Sequence, residues 1–254
     1  MKTHLNHLFA GPKRIAHSSQ EPCLDEKKKS PSAGTRFASG LLGAFCCLAT
    51  GLNAVAISGA VMVAVGAGAF AAEEESGFKA LFNGKDTAGW HVRKETSTNA
   101  WKVEDGVLKN DLKPGGHGVD LISDAKFRNF VVRYEYSVPA GSNSGFYLRG
   151  RHEIQILGQK DNEPKDNGDG GIYRQHKPLV FASKPCGEWN TVEATMVGDK
   201  ITVKMNGQLI HDGVESKRPT GSQLDDNVEE PGPLMLQGDH GAVSFRNIRI
   251  KELP

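Results

Sequence analysis

A sandwich of two antiparallel β-sheets, of jelly-roll type, is the fold this sequence predicts. Three observations point to it. From residue 73 onward apolar and polar residues alternate in segment after segment, no window carries a convincing helical period, and Gly-rich turn dipeptides separate the segments. Such a sandwich buries its inner faces and leaves an outer face as a platform.

The elements follow in order. Asp105-Gly106, between WKVE and VLK, reads as a tight hairpin. In NFVVRYEYSV, Phe130, Val132, Tyr134 and Tyr136 alternate with Val131, Arg133 and Glu135. Along FYLRGRHEIQIL, a single strand would set Tyr147, Arg149, Arg151, Glu153 and Gln155 on one face and Phe146, Leu148, Ile154 and Ile156 on the other. EWNTVEATMV alternates Trp189, Thr191, Glu193 and Thr195 with Val192, Ala194 and Met196. KITVKMNGQLI keeps Ile201, Val203 and Met205 in phase and turns at Asn206-Gly207. VSFRNIRI keeps Val243, Phe245, Ile248 and Ile250 apolar, with a break of phase at Arg246-Asn247 that a β-bulge would produce. The polar stretches 159–171 and 216–233 are expected as loops at the end of a sheet, where rigid scaffolds carry their ligand contacts.

Ahead of this domain stands a leader. Residues 1–40 are polar and basic, residues 41–72 contain no charged side chain, and three glutamates follow at 73–75. Positive, then apolar, then Ala69-Phe70-Ala71 is the order of a secretory signal with its cleavage site. Left uncleaved, 41–72 is long enough to anchor the chain in a bilayer. Either way residues 73–254 are expected outside the cytoplasm, in the periplasm or beyond, as one domain. Its 24 Lys and Arg against 27 Asp and Glu leave a net charge of −3, which is no footprint for nucleic acid. Cys23, Cys46 and Cys47 lie in the leader, so Cys186 remains alone, with neither a disulfide partner nor a Cys-x-x-Cys spacing.

The two guanidiniums, carboxylate, amide and phenol of the FYLRGRHEIQIL ribbon are costly to bury unpaired. They suit either a wet groove that grips a hydroxyl-rich ligand or a solvated face with an Arg–Glu pair.

The strings LFNGKDTAGW, WKVEDGVL, NSGFYLRGRHEIQIL, GDGGIY, KPCGEWNTVEATMVGDKITVKMNGQLI and GPLMLQGDHGAVSFRNIRIKEL occur in this order over residues 77–252. Together they resemble the 3-keto-disaccharide hydrolase family. The resemblance implies a concanavalin A-like lectin/glucanase jelly roll that cleaves sugars oxidised at C3, by hydrolysis or as a lyase. Two positions depart from the family pattern: Gly158 stands where relatives often carry Asp, and His152 where Tyr is usual.

Glucanases of this fold carry three alternating acids on the equivalent strand, which here reads Glu153, Gln155, Leu157. Retaining hydrolysis needs two carboxyls about 5 Å apart, so ordinary double displacement is disfavoured on this strand. A 3-keto sugar does not require it, because the ketone acidifies the C2 proton and permits β-elimination at C1. That chemistry needs a base, an acid for the leaving group and donors for the enolate oxygen.

Glu153 is the candidate base and His240 the candidate acid or base, the latter because histidine titrates near neutral pH. Asp239 would orient His240. Arg149 and Arg151 would clamp sugar oxygens or the enolate, Gln155 and Gln237 would bond hydroxyls, and Trp189 would stack on a sugar face or join Trp90 and Trp101 in the core. Glu153, Asp239 and His240 also make a candidate divalent-metal set if they meet in space. His91, His117, His176 and His211 are expected at the surface. No nicotinamide or flavin fingerprint is present, so a separate sugar C3-dehydrogenase is the expected upstream partner. The competing function is a non-catalytic carbohydrate-binding module, since fold alone does not fix chemistry.

Overall fold

The computed structural model describes residues 77–95, 97–113 and 116–254; the leader assigned to residues 1–72 lies outside them. Among the described residues the chain forms β-strands and no helix. In chain order they are β1 (Lys79–Ala80), β2 (Trp90–Val92), β3 (Trp101–Glu104), β4 (Val107–Asn110), β5 (Leu121–Phe127), β6 (Phe130–Ser137) and β7 (Asn143–Leu148). Then come β8 (His152–Leu157), β9 (Asn190–Val197), β10 (Lys200–Met205), β11 (Gln208–Glu215), β12 (Gly232–Leu236) and β13 (Val243–Glu252).

They pair antiparallel into two sheets. The larger has the order β11-β10-β9-β6-β13-β4-β3 with β1 added beside β13, and the smaller has the order β2-β5-β12-β7-β8. Non-consecutive neighbours such as β6–β13 and β12–β7 mark the jelly-roll crossing of the chain between sheets. The expected two-sheet sandwich is present.

Alternation sorts the side chains as the sequence foretells. In β6 Phe130, Val132, Tyr134 and Tyr136 are buried, while the residues between them are half-exposed. Phe146, Leu148, Ile154, Ile156, Leu234 and Leu236 of the smaller sheet face them across the core. Tyr134 and Phe146 stack between the sheets with centroids 3.8 Å apart and planes 3° from parallel. Each such side chain contributes about 1.5–3 kcal/mol by leaving water. Trp90 and Trp101 belong to this core.

The turns form where expected. Asp105-Gly106 and Asn206-Gly207 have φ of 52° and 77°, and 50° and 80°, the left-handed pairs a two-residue hairpin needs. The bulge in β13 appears as a register shift between Arg246 and Arg249, with Asn247 at φ 54°.

One element differs. FYLRGRHEIQIL is not a single strand but the hairpin β7–β8, turned at Arg149 (φ 52°) and Gly150 (φ 67°) and closed by Arg151 N–H donating to the Leu148 carbonyl at 3.1 Å. The register pairs Tyr147 with Glu153 and Gly145 with Gln155. Odd-numbered residues therefore still share the outward face, but Arg149 and Arg151 belong to the turn. His211, expected at the surface, is buried, and its Nε2–H donates to the Gly170 carbonyl at 2.8 Å.

Candidate active site

The outward face of the smaller sheet is where the polar ribbon converges. Gly145 and Tyr147 on β7 lie beside Gln155 and Glu153 on β8, and Met235 of β12 pairs with Tyr147 from the other side. Tyr147, Met235 and Ile122 form a small apolar cluster of their own, against which Leu224 of the 216–231 loop packs. This loop covers the hairpin end. Its Leu224 N–H donates to the Gly150 carbonyl and its Thr220 N–H to the Arg151 carbonyl, at 2.9 and 3.0 Å. Thr220 Oγ1 in turn accepts the Glu153 N–H at 2.9 Å.

Glu153 lies on the floor of this arrangement, only 3 % exposed. Its carboxyl rests over Gly145: a Cβ at that position would stand 2.2 Å from Glu153 Oε1, so glycine is what makes room for it. Burial raises the carboxyl to a pKa of about 7. The Tyr147 hydroxyl and the charge of His240 oppose that rise, and Asp239 and Asp120 add to it. Tyr147 Oη makes no well-formed hydrogen bond but lies close enough to influence Glu153, while burial and the neighbouring carboxylates hold the phenol neutral.

Asp239 and His240 approach from the turn between β12 and β13. Gln237 N–H donates to the Gly145 carbonyl at 2.9 Å, and Ser144 Oγ–H donates to the Gln237 carbonyl at 2.8 Å. The stretch leading to His240 is thereby tied to the residue beneath the Glu153 carboxyl. His240 Nδ1–H donates to Asp239, and that contact raises the imidazole against the opposing pull of burial. Burial also pushes Asp239 up, but contact with His240 and its charge outweigh it and leave Asp239 below its ordinary value. A buried carboxyl near neutrality thus lies within electrostatic reach of an imidazole held toward its cationic form and half exposed to solvent.

The amides complete the face. Gln155 and Gln237 are 3 % and 5 % exposed, and the Oε1 atom of each is buried without a partner. Gln155 Nε2–H donates to the Asn167 carbonyl of the 159–171 loop, at a long 3.3 Å. Asn143 Oδ1, in phase with Gly145 and Tyr147 on β7, is likewise buried and unpartnered. Four polar atoms with unmet capacity on one sheet face are unusual in a folded protein, where buried polar groups are paired.

Several expected ligand contacts lie elsewhere. Arg149 Nε–H and Nη2–H donate to the Arg128 carbonyl, and its Nη1–H donates to the Val228 carbonyl at 3.1 Å. Arg151 forks onto Asp225 at 2.7 and 3.0 Å and donates to the Glu230 carbonyl at 2.9 Å. Both guanidiniums strap the 216–231 loop to the hairpin, so they do not reach the Glu153 carboxyl as sugar clamps. A turn at Arg149-Gly150 cost them their place in the strand phase. Trp189 lies on the outer face of the larger sheet under Arg246, whose guanidinium carbon is 4.0 Å from its ring centroid. It belongs neither to the core cluster nor to the Glu153 face.

The metal set does not form. Among the described residues no three His, Cys, Asp or Glu side chains stand where they could hold a metal ion. His240 and Asp239 are already engaged with each other.

Asp120 is a site residue that sequence reading passes over. It is 5 % exposed at the foot of β5, and its Oδ1 accepts the Gly238 N–H at 3.1 Å. Only an isolated Asp before a strand marks it in the sequence. Glycines mark tight backbone packing: a Cβ at Gly118 would lie 2.2 Å from the Gly238 carbonyl, and one at Gly158 would lie 1.9 Å from the Pro139 carbonyl. Close backbone approach therefore accounts for the glycine at 158 in this chain. His152 is fully buried beside Ser216 Oγ at 2.8 Å and is held neutral at neutral pH, with burial lowering it to about 4.

Comparison with known proteins fits this geometry. Over residues 77–251 the chain matches the model of the 3-keto-alpha-glucoside-1,2-lyase-like domain. It is 28% identical over 233 residues to a 3-keto-disaccharide hydrolase of Bacteroides thetaiotaomicron, spanning 71% of this chain and 80% of that protein. A candidate glycosyl hydrolase from Parabacteroides distasonis superposes with a TM-score of 0.57 at 30% identity, over 70% of this chain and 84% of its own. A second one from the same organism superposes at 0.56 and 24% identity, over 70% and 95%. The family match covers all thirteen strands but for the last residue of β13, including the face that bears Glu153, Gln155 and Gln237 and the turn that bears His240. The chain belongs to the family of 3-keto-alpha-glucoside-1,2-lyase-like domains and is a carbohydrate-active enzyme.

Proposed function

We propose that this protein cleaves 3-ketoglycosides by removing the C2 proton and eliminating the C1 substituent. The observation that carries the reading is a single buried carboxyl, Glu153, raised to about 7 on a face of unpartnered polar atoms. A base poised near neutrality suits abstraction of a proton made acidic by the neighbouring ketone. The Glu153 carboxylate takes the C2 proton, and the C–H electron pair moves into the C2–C3 bond as the 3-keto oxygen becomes an enolate. That electron pair then forms the C1–C2 double bond as the C1–O bond breaks and the ketone re-forms. The His240 imidazolium gives its proton to the departing oxygen. Water adding at C1 and a proton at C2 complete net hydrolysis.

Tyr147, neutral at any working pH, is the donor best placed for the enolate oxygen. Gln155 and Gln237 offer their Oε1 atoms to sugar hydroxyl protons. Glu153 has no second acid on its own strand, which supports elimination over double displacement. The protein acts outside the cytoplasm after export by its leader, and a sugar C3-dehydrogenase supplies its substrate.

The test is paired: an aryl 3-keto-glucoside and the same glucoside unoxidised, followed by aglycone release. Many turnovers on the first and none on the second are expected. Release from both would restore conventional hydrolysis, and binding of either without release would make the domain a lectin.

A further inference from the structure

Glu153 has a loop on each side, and one ion pair touches both. Arg93, just past β2, donates its Nη1–H to the Ser222 carbonyl and its Nη2–H to the Gln223 carbonyl, both at 2.8 Å. The same Nη1 meets Asp120 Oδ2 at 3.2 Å. Asp120 Oδ1 takes the Gly238 N–H at 3.1 Å, immediately before Asp239 and His240. The Arg93 N–H donates to the Asp120 carbonyl at 2.9 Å, so backbone and side chains hold the pair twice. Asp120 is almost wholly buried, whereas the Arg93 side chain is 30% exposed. An anion kept at depth with one cation and one backbone donor does more than decorate a surface.

We infer that Arg93 and Asp120 form a clamp that fixes the 216–231 loop and the Gly238–His240 turn in one register about Glu153, which makes Asp120 a positioning residue for the reaction. The inference rests on Glu153 and His240 being the chemical pair. Its physical content is mechanical and electrostatic together. A planar fork spanning two carbonyls and a carboxylate transmits displacement of one loop to the other. The groups within reach of Asp120 are Arg93, Asp239 and Gly238 N–H, with Tyr147, Glu153 and His240 beyond them. Burial raises Asp120 itself, and the Gly238 and Arg93 contacts oppose the rise. Its negative charge in turn favours protonation of both Glu153 and His240.

Amide hydrogen exchange and NMR titration of the His240 imidazole test this without substrate. In Asp120→Ala and in Arg93→Gln, exchange at Gly238 and at Leu224 is expected to quicken together, roughly tenfold or more. Arg93→Lys keeps the charge but loses the fork, and should free Leu224 while Gly238 stays protected. Asp120→Asn keeps an acceptor for Gly238, so it should remain folded even where the alanine variant does not. Its His240 midpoint should fall, and the acid limb of kcat on a 3-keto-glucoside should move down as Glu153 loses a neighbouring anion. Release of one loop only in both Asp120→Ala and Arg93→Gln, or an unmoved His240 midpoint in Asp120→Asn, overturns the clamp. A protein that shows the coupled exchange and the shifted midpoint yet cleaves no 3-keto-glucoside upholds the clamp and refutes the proposed function instead.

Discussion

The two outer faces of the sandwich carry similar residue types and opposite physics. On the larger sheet Arg133 meets Glu193 at 2.6 Å, Lys204 reaches the same carboxylate at 3.7 Å, and Arg246 meets Glu135 at 2.7 Å. A groove of about 280 Å³ runs between several of these side chains. They are partly exposed and largely paired, though Arg249 Nε has no partner. Pairs of this kind contribute about 0–1 kcal/mol each. On the smaller sheet the carboxyl is enclosed, makes no ion pair among the described contacts, and is ringed by polar atoms without partners. That groove therefore lies on a face whose charges are already met, whereas the carboxyl proposed as the base lies on the other. Among the described residues, four unpartnered polar atoms gather on the Glu153 face, whereas the charged side chains of the larger sheet's outer face are mostly paired.

That contrast can be broken by matched substitutions. Glu153→Gln should cut turnover of a 3-keto-glucoside by about 10²–10⁴-fold while the protein stays folded, with a thermal midpoint at neutral pH no lower than wild type. Glu193→Gln on the other face should leave turnover unchanged, and equal losses in the two variants would erase the distinction between the faces. Next in size is Gly145→Ala. Its φ is not in the left-handed region, so the backbone tolerates alanine, but the methyl occupies the space of Glu153 Oε1. A displaced base should cost about 10²-fold in kcat with the fold retained, measured by steady-state kinetics beside circular dichroism. Arg149→Met should act on stability instead. It leaves the Arg128 and Val228 carbonyls without their donors, for a loss of about 1–3 kcal/mol in denaturant unfolding.

The pH dependence is smaller and has a definite sign. Glu153 is raised from 4.5 to about 7, so the folded state holds a proton that the unfolded chain releases earlier. Its contribution to stability is therefore greatest below about 4.5 and declines as pH rises to about 7. Subtracting Glu153→Gln unfolding curves from wild-type curves should isolate that decline, and a flat difference across the window would show that the carboxyl is not raised. Turnover should rise over the same range as the base loses its proton. Trp189→Ala should change neither turnover nor substrate affinity, because the ring lies under Arg246 on the larger sheet.

Much of this architecture was legible in the residues. Period-two alternation placed β6, β9 and β10, and the left-handed pairs Asp105-Gly106 and Asn206-Gly207 marked the β3–β4 and β10–β11 turns. Glu153, Gln155 and Tyr147 were rightly assigned to one face. The arginines were not, because Arg149-Gly150 lacks the Asn-Gly or Asp-Gly signal and alternation runs unbroken through the turn. Asp120 escaped because its importance comes from Gly238 and Arg93, which are remote in sequence and meet it only in the fold. Gly145 escaped for a related reason: what forbids a side chain there is a carboxyl from the neighbouring strand.

The most direct measurement is cleavage of a 3-keto-glucoside in D₂O, with the released sugar examined by NMR at C2. Complete deuteration at C2 in the wild-type product is expected, together with loss of both cleavage and exchange in Glu153→Gln. Cleavage that retains the original C2 proton, or that proceeds undiminished in Glu153→Gln, would contradict the assignment of Glu153 as the base.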